Sequence, residues 1–259
     1  MKERILLFIP AYNCEHQITR VLDQLTPSIM NYISKILVVN NRSTDNTEQA
    51  VIDYRNAHKD LPIVILRNKE NYGLGGSHKV AFSYALDYGY DYVMVLHGDD
   101  QGRISDFANV LASRYYRKHD CVLGARFMRG SRLIGYSPVR TLGNVVYNFL
   151  FAYVLKSRIY DLGSGLNIYS VNMLKDRFYQ SFPDNLMFNY CMIMASEYYG
   201  HDIRYFPISW REDDQVSNVK LADQAKKVLQ MLKDYYKDPT IITEEYRSNV
   251  IDEYEADVI

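Results

Sequence analysis

Residues Tyr92 to Gly102 read YVMVLHGDDQG. Five apolar or aromatic residues run to Leu96, and the run ends in His97, a glycine and two adjacent carboxylates, Asp99 and Asp100. A short, almost wholly apolar run bounded by turn residues is the pattern of a strand buried on both faces. Such strands belong to parallel sheets covered by helices, and those sheets bind ligands outside the carboxyl ends of their strands. The two acids therefore stand where a ligand would be held.

The same pattern recurs along the chain. ILLFIP, stopped by Pro10, KILVVN (Lys35 to Asn40), IVILRN (Ile63 to Asn68) and CVLGARF (Cys121 to Phe127) read as further strands. Helical stretches alternate with them: His16 to Leu25, the segment after RSTDNT with Ser43, Thr44 or Asp45 near its cap, His78 to Leu86 behind a glycine-rich turn NYGLGGS, and Ile104 to Tyr116. This alternation predicts an α/β fold with a Rossmann-like, mostly parallel central sheet covered by helices. Pro10-Ala11-Tyr12, Asn40-Asn41, Asn68 to Gly76 and Asp99-Asp100 then converge on one sheet edge. Further on, Ser137 to Arg158 reads as a helix, YDLGSGLNIYS as turn then strand, and Pro183 to Tyr199 as a helix. IRYFPISW reads as a strand, REDDQVSN as a polar loop, and Val219 to Tyr236 as a closing helix. With no clean linker or repeat, residues 1–236 are expected to form one domain. The acidic tail, 237–259, is expected to wrap that domain, join a partner or stay loose.

The bulk numbers bound the partners. A net charge of -1 over 259 residues offers no basic footprint for nucleic acid. Cys14, Cys121 and Cys191 lie far apart and odd in number, against a disulfide framework. The 24 tyrosines suit sugar stacking, an interface or a membrane boundary. MKERILLFIPAY lacks a cleavage-like site and reads as a first strand, not a signal peptide. The longest apolar run, Val145 to Leu155, is about half the ~20 residues of a spanning helix. A cytoplasmic protein is expected. That apolar helix, with Lys156 and Arg158 beyond it, can lie on the membrane face, or pack in the core or a homo-oligomer interface.

Each chemical motif has a structural alternative. Asp99 and Asp100 can bind Mg²⁺ or Mn²⁺ through hard oxygens, or cap the helix that follows. The NYGLGGS glycines permit close approach of a phosphate or base, or form an ordinary turn. Asn40 and Asn41 can read a nucleobase or ribose, or make an Asx-turn. Arg126, Arg129, Arg132 and Arg140, with Arg211 and Lys220 later, have the forks and charges that suit diphosphate, although single basic residues are mostly solvated. His97 is a metal contact or a hydrogen-bonded structural residue.

Taken in order, IPAYNCEHQI, VVNNRSTDNT, NYGLGGSHKVAFSYAL, LHGDDQGRISD and DLGSGLNIYS resemble the blocks of the family 2 glycosyltransferases. The resemblance is nearest to the branch of dolichyl-phosphate mannosyltransferase and the bacterial polyprenyl-phosphate glycosyltransferases, and covers about residues 4 to 220. It implies a GT-A fold, a nucleoside-diphosphate sugar donor and inverting transfer in cell-surface glycan or glycolipid synthesis. By it, Pro10, Ala11, Tyr12 and Asn41 sit at the nucleoside, and Gly73 and Gly76 near the donor. Asp99 takes the central metal role, with His97 and Gln101 flanking it in the metal signature. His97 replaces an acid there, and Asn40-Asn41 replace the family's aspartates; imidazole suits Mn²⁺ better than Mg²⁺. Arg126, Arg140, Arg211 and Lys220 would grip the donor diphosphate or an acceptor phosphate. Ser217-Asn218 stand where the family has a Ser-Lys step.

The acceptor has two expected forms. A polyprenyl phosphate is already anionic and needs no base; a sugar hydroxyl needs one, for which Asp184 and Asp161 are the candidates. Asp184 reads equally as a helix cap. The non-acidic Asn40-Asn41 pair and His97 also fit a nucleotide-sugar binding protein without turnover. A nucleotidyltransferase would need a glycine-rich basic loop after the first strand, which IPAYNCEH lacks.

Overall fold

The computed structural model describes residues 3–212, 221–247, 251 and 253–259, with the side chains of 221–224 left aside. Four parallel strands form the core of the sheet: β1 (Ile5–Ala11), β2 (Ile33–Asn40), β3 (Ile63–Asn68) and β4 (Tyr92–Leu96). Between them lie α1 (Ile18–Asp23), the single turn α2 (Pro27–Met30), α3 (Thr47–Ala57) and α4 (Gly73–Asp87). β1 shows why both faces are covered. Leu6 and Phe8 point into one core, and Ile5, Leu7 and Ile9 into the other, following the two-residue alternation of a strand.

The second half completes the sheet less regularly. The expected helix over Ile104 to Tyr116 is broken into a 3-10 turn, the short α5 (Ala108–Ala112) and another 3-10 turn entered by left-handed Arg114. β5 (Cys121–Ala125) follows, then the short β6 (Arg132–Ile134), α6 (Pro138–Leu155), β7 (Leu166–Ser170) and α7 (Met187–Tyr198). The expected strand IRYFPISW divides at buried Ile208 into β8 (Ile203–Pro207), paired with β5, and β9 (Ser209–Arg211), paired with β6. α8 (Leu221–Lys237) closes against α6. The tail adds β10 (Ala256–Val258) to the free edge of β3.

The sheet order is β10-β3-β2-β1-β4-β7-β5-β8, with β7 and β10 antiparallel to their neighbours. The mostly parallel α/β sheet expected from the sequence is therefore present, with one reversed strand, β7, inserted between β4 and β5. That insertion carries Gly165 beside His97 and so matters to the site.

The glycine-rich stretch differs from expectation. NYGLGGS is not a turn before the helix: Gly73 opens α4 itself, in a left-handed conformation. The carbonyl of Asp184 accepts the backbone N–H of Gly75 at 2.7 Å. A Cβ on Gly75 would lie 2.5 Å from the Pro183 carbonyl oxygen. The small residues thus let the start of α4 approach the chain before α7, and the Gly75 N–H is spent there and not on an anion.

Candidate active site

Two cavities open at the carboxyl ends of the strands and meet over His97 and Asp99. The first, about 370 Å³, is lined by Pro10, Ala11, Tyr12, Asn41, Asn71 and Gly73, with His97, Gly98 and Asp99 at its other end. The second, about 490 Å³, is lined by Arg126, Arg140, Tyr147 and Asn189 beside His97, Asp99 and Gln101. Leu74 and Leu186 belong to both.

The wall of the first cavity is built by asparagines. Asn41 Oδ1 accepts the backbone N–H of Tyr72 and the Asn68 amide, both at 2.9 Å, and Asn41 Nδ2 donates to Asn71 Oδ1 at 2.7 Å. Asn40 instead turns away, donating to Glu48 and accepting the Ser43 N–H, the Asx-turn alternative. Tyr12 presents half of its surface to solvent at the rim. Gly76 faces Tyr72 and Tyr254, not the cavity.

At the junction, the two carboxylates have separate environments. Asp100, left-handed and buried, accepts Arg20 Nε at 2.7 Å and Gln24 Nε2 at 2.9 Å, and is ion-paired with Arg211. It ties three elements together and lines neither cavity. Asp99 lines both, and its carboxylate accepts the Gln101 N–H at 3.2 Å. Burial pushes its carboxyl up to about 6, against the pull of that N–H. His97 is held by its backbone N–H to the Gly165 carbonyl, while its Nε2 is buried without a partner among the described residues. Burial, with Arg126 nearby, draws its imidazole down to about 4, so it stands neutral.

The basic residues divide. Arg126 forks onto Asp161 (Nε–Oδ2 2.8 Å, Nη2–Oδ1 2.7 Å) and lies over the rings of Phe127 and Trp210. Burial opposes its charge, and Asp161 more than restores it. Asp161 is thus occupied as the partner of Arg126. Arg140 lines the second cavity and pairs with Glu212 at 2.6 Å. Arg211 is drawn to Asp100 and away from both cavities. Lys220, Ser217 and Asn218 lie outside the described residues. Asp184 lines neither cavity: its carboxylate accepts Lys79 Nζ and Tyr254 Oη, each at 2.7 Å, joining α4 to the tail.

Sequence reasoning had no signal for Tyr147, Leu186 or Asn189, which reach the cavities only through the fold; Asn71 opens the NYGLGGS stretch, where the glycines and not the asparagine drew the reading. Among the described residues, no group of three or more His, Cys, Asp or Glu side chains is arranged to hold a metal. What is present is one carboxylate, Asp99, beside the unpartnered His97 Nε2 and Gln101. Such a set suits a hard divalent ion whose remaining ligands are phosphate oxygens and water.

The family described as glycosyl transferase family 2 matches residues 7–178. An undecaprenyl-phosphate mannosyltransferase of Micrococcus luteus is 25% identical over 172 residues, 66% of this chain and 68% of the relative. A dolichyl-phosphate beta-glucosyltransferase of Trichomonas vaginalis is 20% identical over 237 residues, 87% of this chain and 68% of the relative. Glucosyl-3-phosphoglycerate synthase of Mycobacterium tuberculosis, solved with Mn²⁺, UDP and glucosyl-3-phosphoglycerate, superposes with a TM-score of 0.66 at 15% identity. The alignment covers 91% of this chain and 80% of that one. TarS of S. aureus superposes with a TM-score of 0.59 at 20% identity, over 92% of this chain and 73% of that one. With the sheet, the strand-end cavities and these matches in place, the chain belongs to glycosyl transferase family 2 and is an enzyme of the GT-A fold.

Proposed function

We propose that this enzyme transfers a sugar, with inversion, from a nucleoside-diphosphate sugar to a polyprenyl phosphate at a membrane surface. The observation that carries the reading is the pair of cavities meeting over Asp99, with the second opening beside an apolar helix. α6 has three faces. Arg140, Gly143, Asn144 and Tyr147 line the cavity, and Asn148 and Phe151 are buried. Leu142, Phe149 and Tyr153 are each about two-thirds exposed (66%, 69% and 67%). A cavity whose cations are Arg126 and Arg140 and whose other walls include Val139, Leu162 and Val228 matches an anionic head on an apolar chain. The exposed stripe, followed by Lys156 and Arg158, suits a helix lying at the lipid boundary. No helix among the described residues is long and apolar enough to cross a membrane. The names of the Micrococcus and Trichomonas relatives lean the same way.

In this mechanism the nucleoside lies against Tyr12 and Asn41, and the diphosphate reaches Asp99. Asp99, with His97 Nε2 and Gln101, would hold Mg²⁺ or Mn²⁺, which supplies Lewis-acid stabilisation of the charge growing on the leaving diphosphate. Arg126, fixed by Asp161, orients the acceptor phosphate, and Arg140 exchanges Glu212 for it. The acceptor oxygen is already anionic, and neither Asp161 nor Asp184 is required as a base; both carboxylates are engaged elsewhere.

A donor-by-metal turnover screen with polyprenyl phosphate and simple sugars as acceptors tests the reading. Product on the lipid is expected. Product on a sugar hydroxyl alone would replace the acceptor, and donor binding without turnover on any acceptor would leave a binding protein.

A further inference from the structure

The asparagines around the first cavity are wired in one direction only. A backbone N–H can only donate, and two of them fix the amides: Tyr72 N–H points at Asn41 Oδ1 (2.9 Å) and Gly73 N–H at Asn71 Oδ1 (3.0 Å). Asn41 Nδ2 then spends one hydrogen on Asn71 Oδ1 and keeps one. Asn71 is exposed, and its Nδ2 donates to nothing among the described residues. Both side chains line the cavity, so what they have left to offer is N–H, from two neighbouring nitrogens.

The acceptors nearby are engaged or out of reach. Ser77 Oγ receives Asn68 and donates to the Gly73 carbonyl. The Pro10 and Ala11 carbonyls take the N–H groups of Gly98 and Asn41. Asn68 Oδ1, which has no partner among the described residues, is buried and Asn68 lines neither cavity. Asp99 is the acidic residue lining this cavity, and it stands at the opposite end, shared with the second cavity.

We infer that Asn41 and Asn71 select the donor's base as paired hydrogen-bond donors, and therefore take a base edge with two adjacent acceptors. Cytosine offers O2 with N3, and guanine offers O6 with N7. Uracil places an imino N–H between its two carbonyls, which meets donor with donor. Adenine offers one acceptor beside an amino group. The Tyr12 ring at the rim gives the base a face to stack on. This selection rests on the donor reading of the first cavity. It makes Asn41, which stands where the resemblance has an acid, a specificity device together with Asn71, the first residue of NYGLGGS.

The test is calorimetric titration of the whole protein, with Mn²⁺ present, by CDP, GDP, UDP and ADP. CDP or GDP is expected to bind about tenfold or more tightly than UDP and ADP, the scale of one mispaired polar contact. The CDP and GDP arms separate a pyrimidine site from a purine site. Asn71→Asp keeps the acceptor for Gly73 and Asn41 but turns the outer donor into an acceptor, and is expected to raise UDP affinity relative to CDP and GDP. UDP binding as tightly as CDP and GDP in the unaltered protein, or an order unchanged by Asn71→Asp, would overturn the inference while leaving the donor cavity intact. Binding of none of the four would overturn the donor reading itself, and this inference with it.

Discussion

The ring of His97 occupies the space that a side chain at position 165 would need. A Cβ on Gly165 would lie 2.6 Å from His97 Cγ, and the Gly165 carbonyl accepts the His97 N–H at 2.9 Å. The histidine at the end of β4 and the second glycine of DLGSG are therefore one unit, brought together by the antiparallel pairing of β4 with β7. Gly165→Ala is expected to lower stability by about 1–3 kcal/mol through overpacking and to depress turnover by shifting the ring. Adding His97→Ala should recover most of the lost stability and none of the turnover, a non-additivity read directly by denaturant unfolding of the three variants.

Arg126 and Asp161 should behave as a closed pair. Removing the acid leaves a half-buried guanidinium without its partner, so Asp161→Ala is expected to cost about 3–5 kcal/mol in urea unfolding. Asp161→Asn keeps one of the two oxygens, and so an acceptor for either the Arg126 or the Gly163 backbone N–H, and should cost less. An Asp161→Ala variant as stable as the unaltered protein would show that the pair contributes nothing.

Asp99 should trade stability for function. Its folded carboxyl sits at about 6, above the ordinary carboxylate value, because burial opposes the charge. A raised folded value means its stabilising contribution is fully present below the unfolded value near 4 and is lost as pH rises through about 6. Without metal, Asp99→Asn should therefore be more stable than the unaltered protein at pH 7.5, by about 1–3 kcal/mol, and equal to it below about pH 4. Tm measured in chelator across that range checks it; a variant less stable at every pH would contradict the burial argument.

The exposed stripe of α6 gives a prediction separable from folding. Leu142→Glu with Phe149→Glu alters surface positions only and should move stability by about 0.5 kcal/mol or less. Transfer to polyprenyl phosphate in vesicles should fall by about tenfold or more as the helix loses its lipid contact. Transfer to a short water-soluble polyprenyl phosphate should hold. Equal losses on both acceptors would assign the stripe a role other than membrane contact.

Much of the fold was legible because the buried strands announce themselves. β1 to β5 are nearly unbroken apolar runs ending in polar loops, and period and length suffice for them. β7 could be read as a strand, but its reversed place between β4 and β5 is decided by long-range pairing that no local pattern carries. The glycines of NYGLGGS were misplaced for a related reason: their requirement comes from the Pro183–Asp184 backbone, over a hundred residues away. At the site, the resemblance already set Asp99 apart from Asp100, and the two have unequal surroundings, Asp100 tied to Arg20, Gln24 and Arg211 and Asp99 lining both cavities. The partners were not legible: Asp161 for Arg126, Lys79 for Asp184 and Asn71 for Asn41 are contacts made by the tertiary structure.

The central claim is that Asp99 serves sugar transfer to a polyprenyl phosphate. The most direct measurement is single-turnover transfer of labelled sugar from the nucleotide donor that binds best to vesicle-borne polyprenyl phosphate, with Mn²⁺, by the unaltered protein and by Asp99→Asn. The account predicts a labelled lipid phosphate sugar from the unaltered protein and a loss of about 10²- to 10³-fold in the variant. Undiminished transfer by Asp99→Asn, or labelled product on a sugar hydroxyl and none on the lipid, would contradict it.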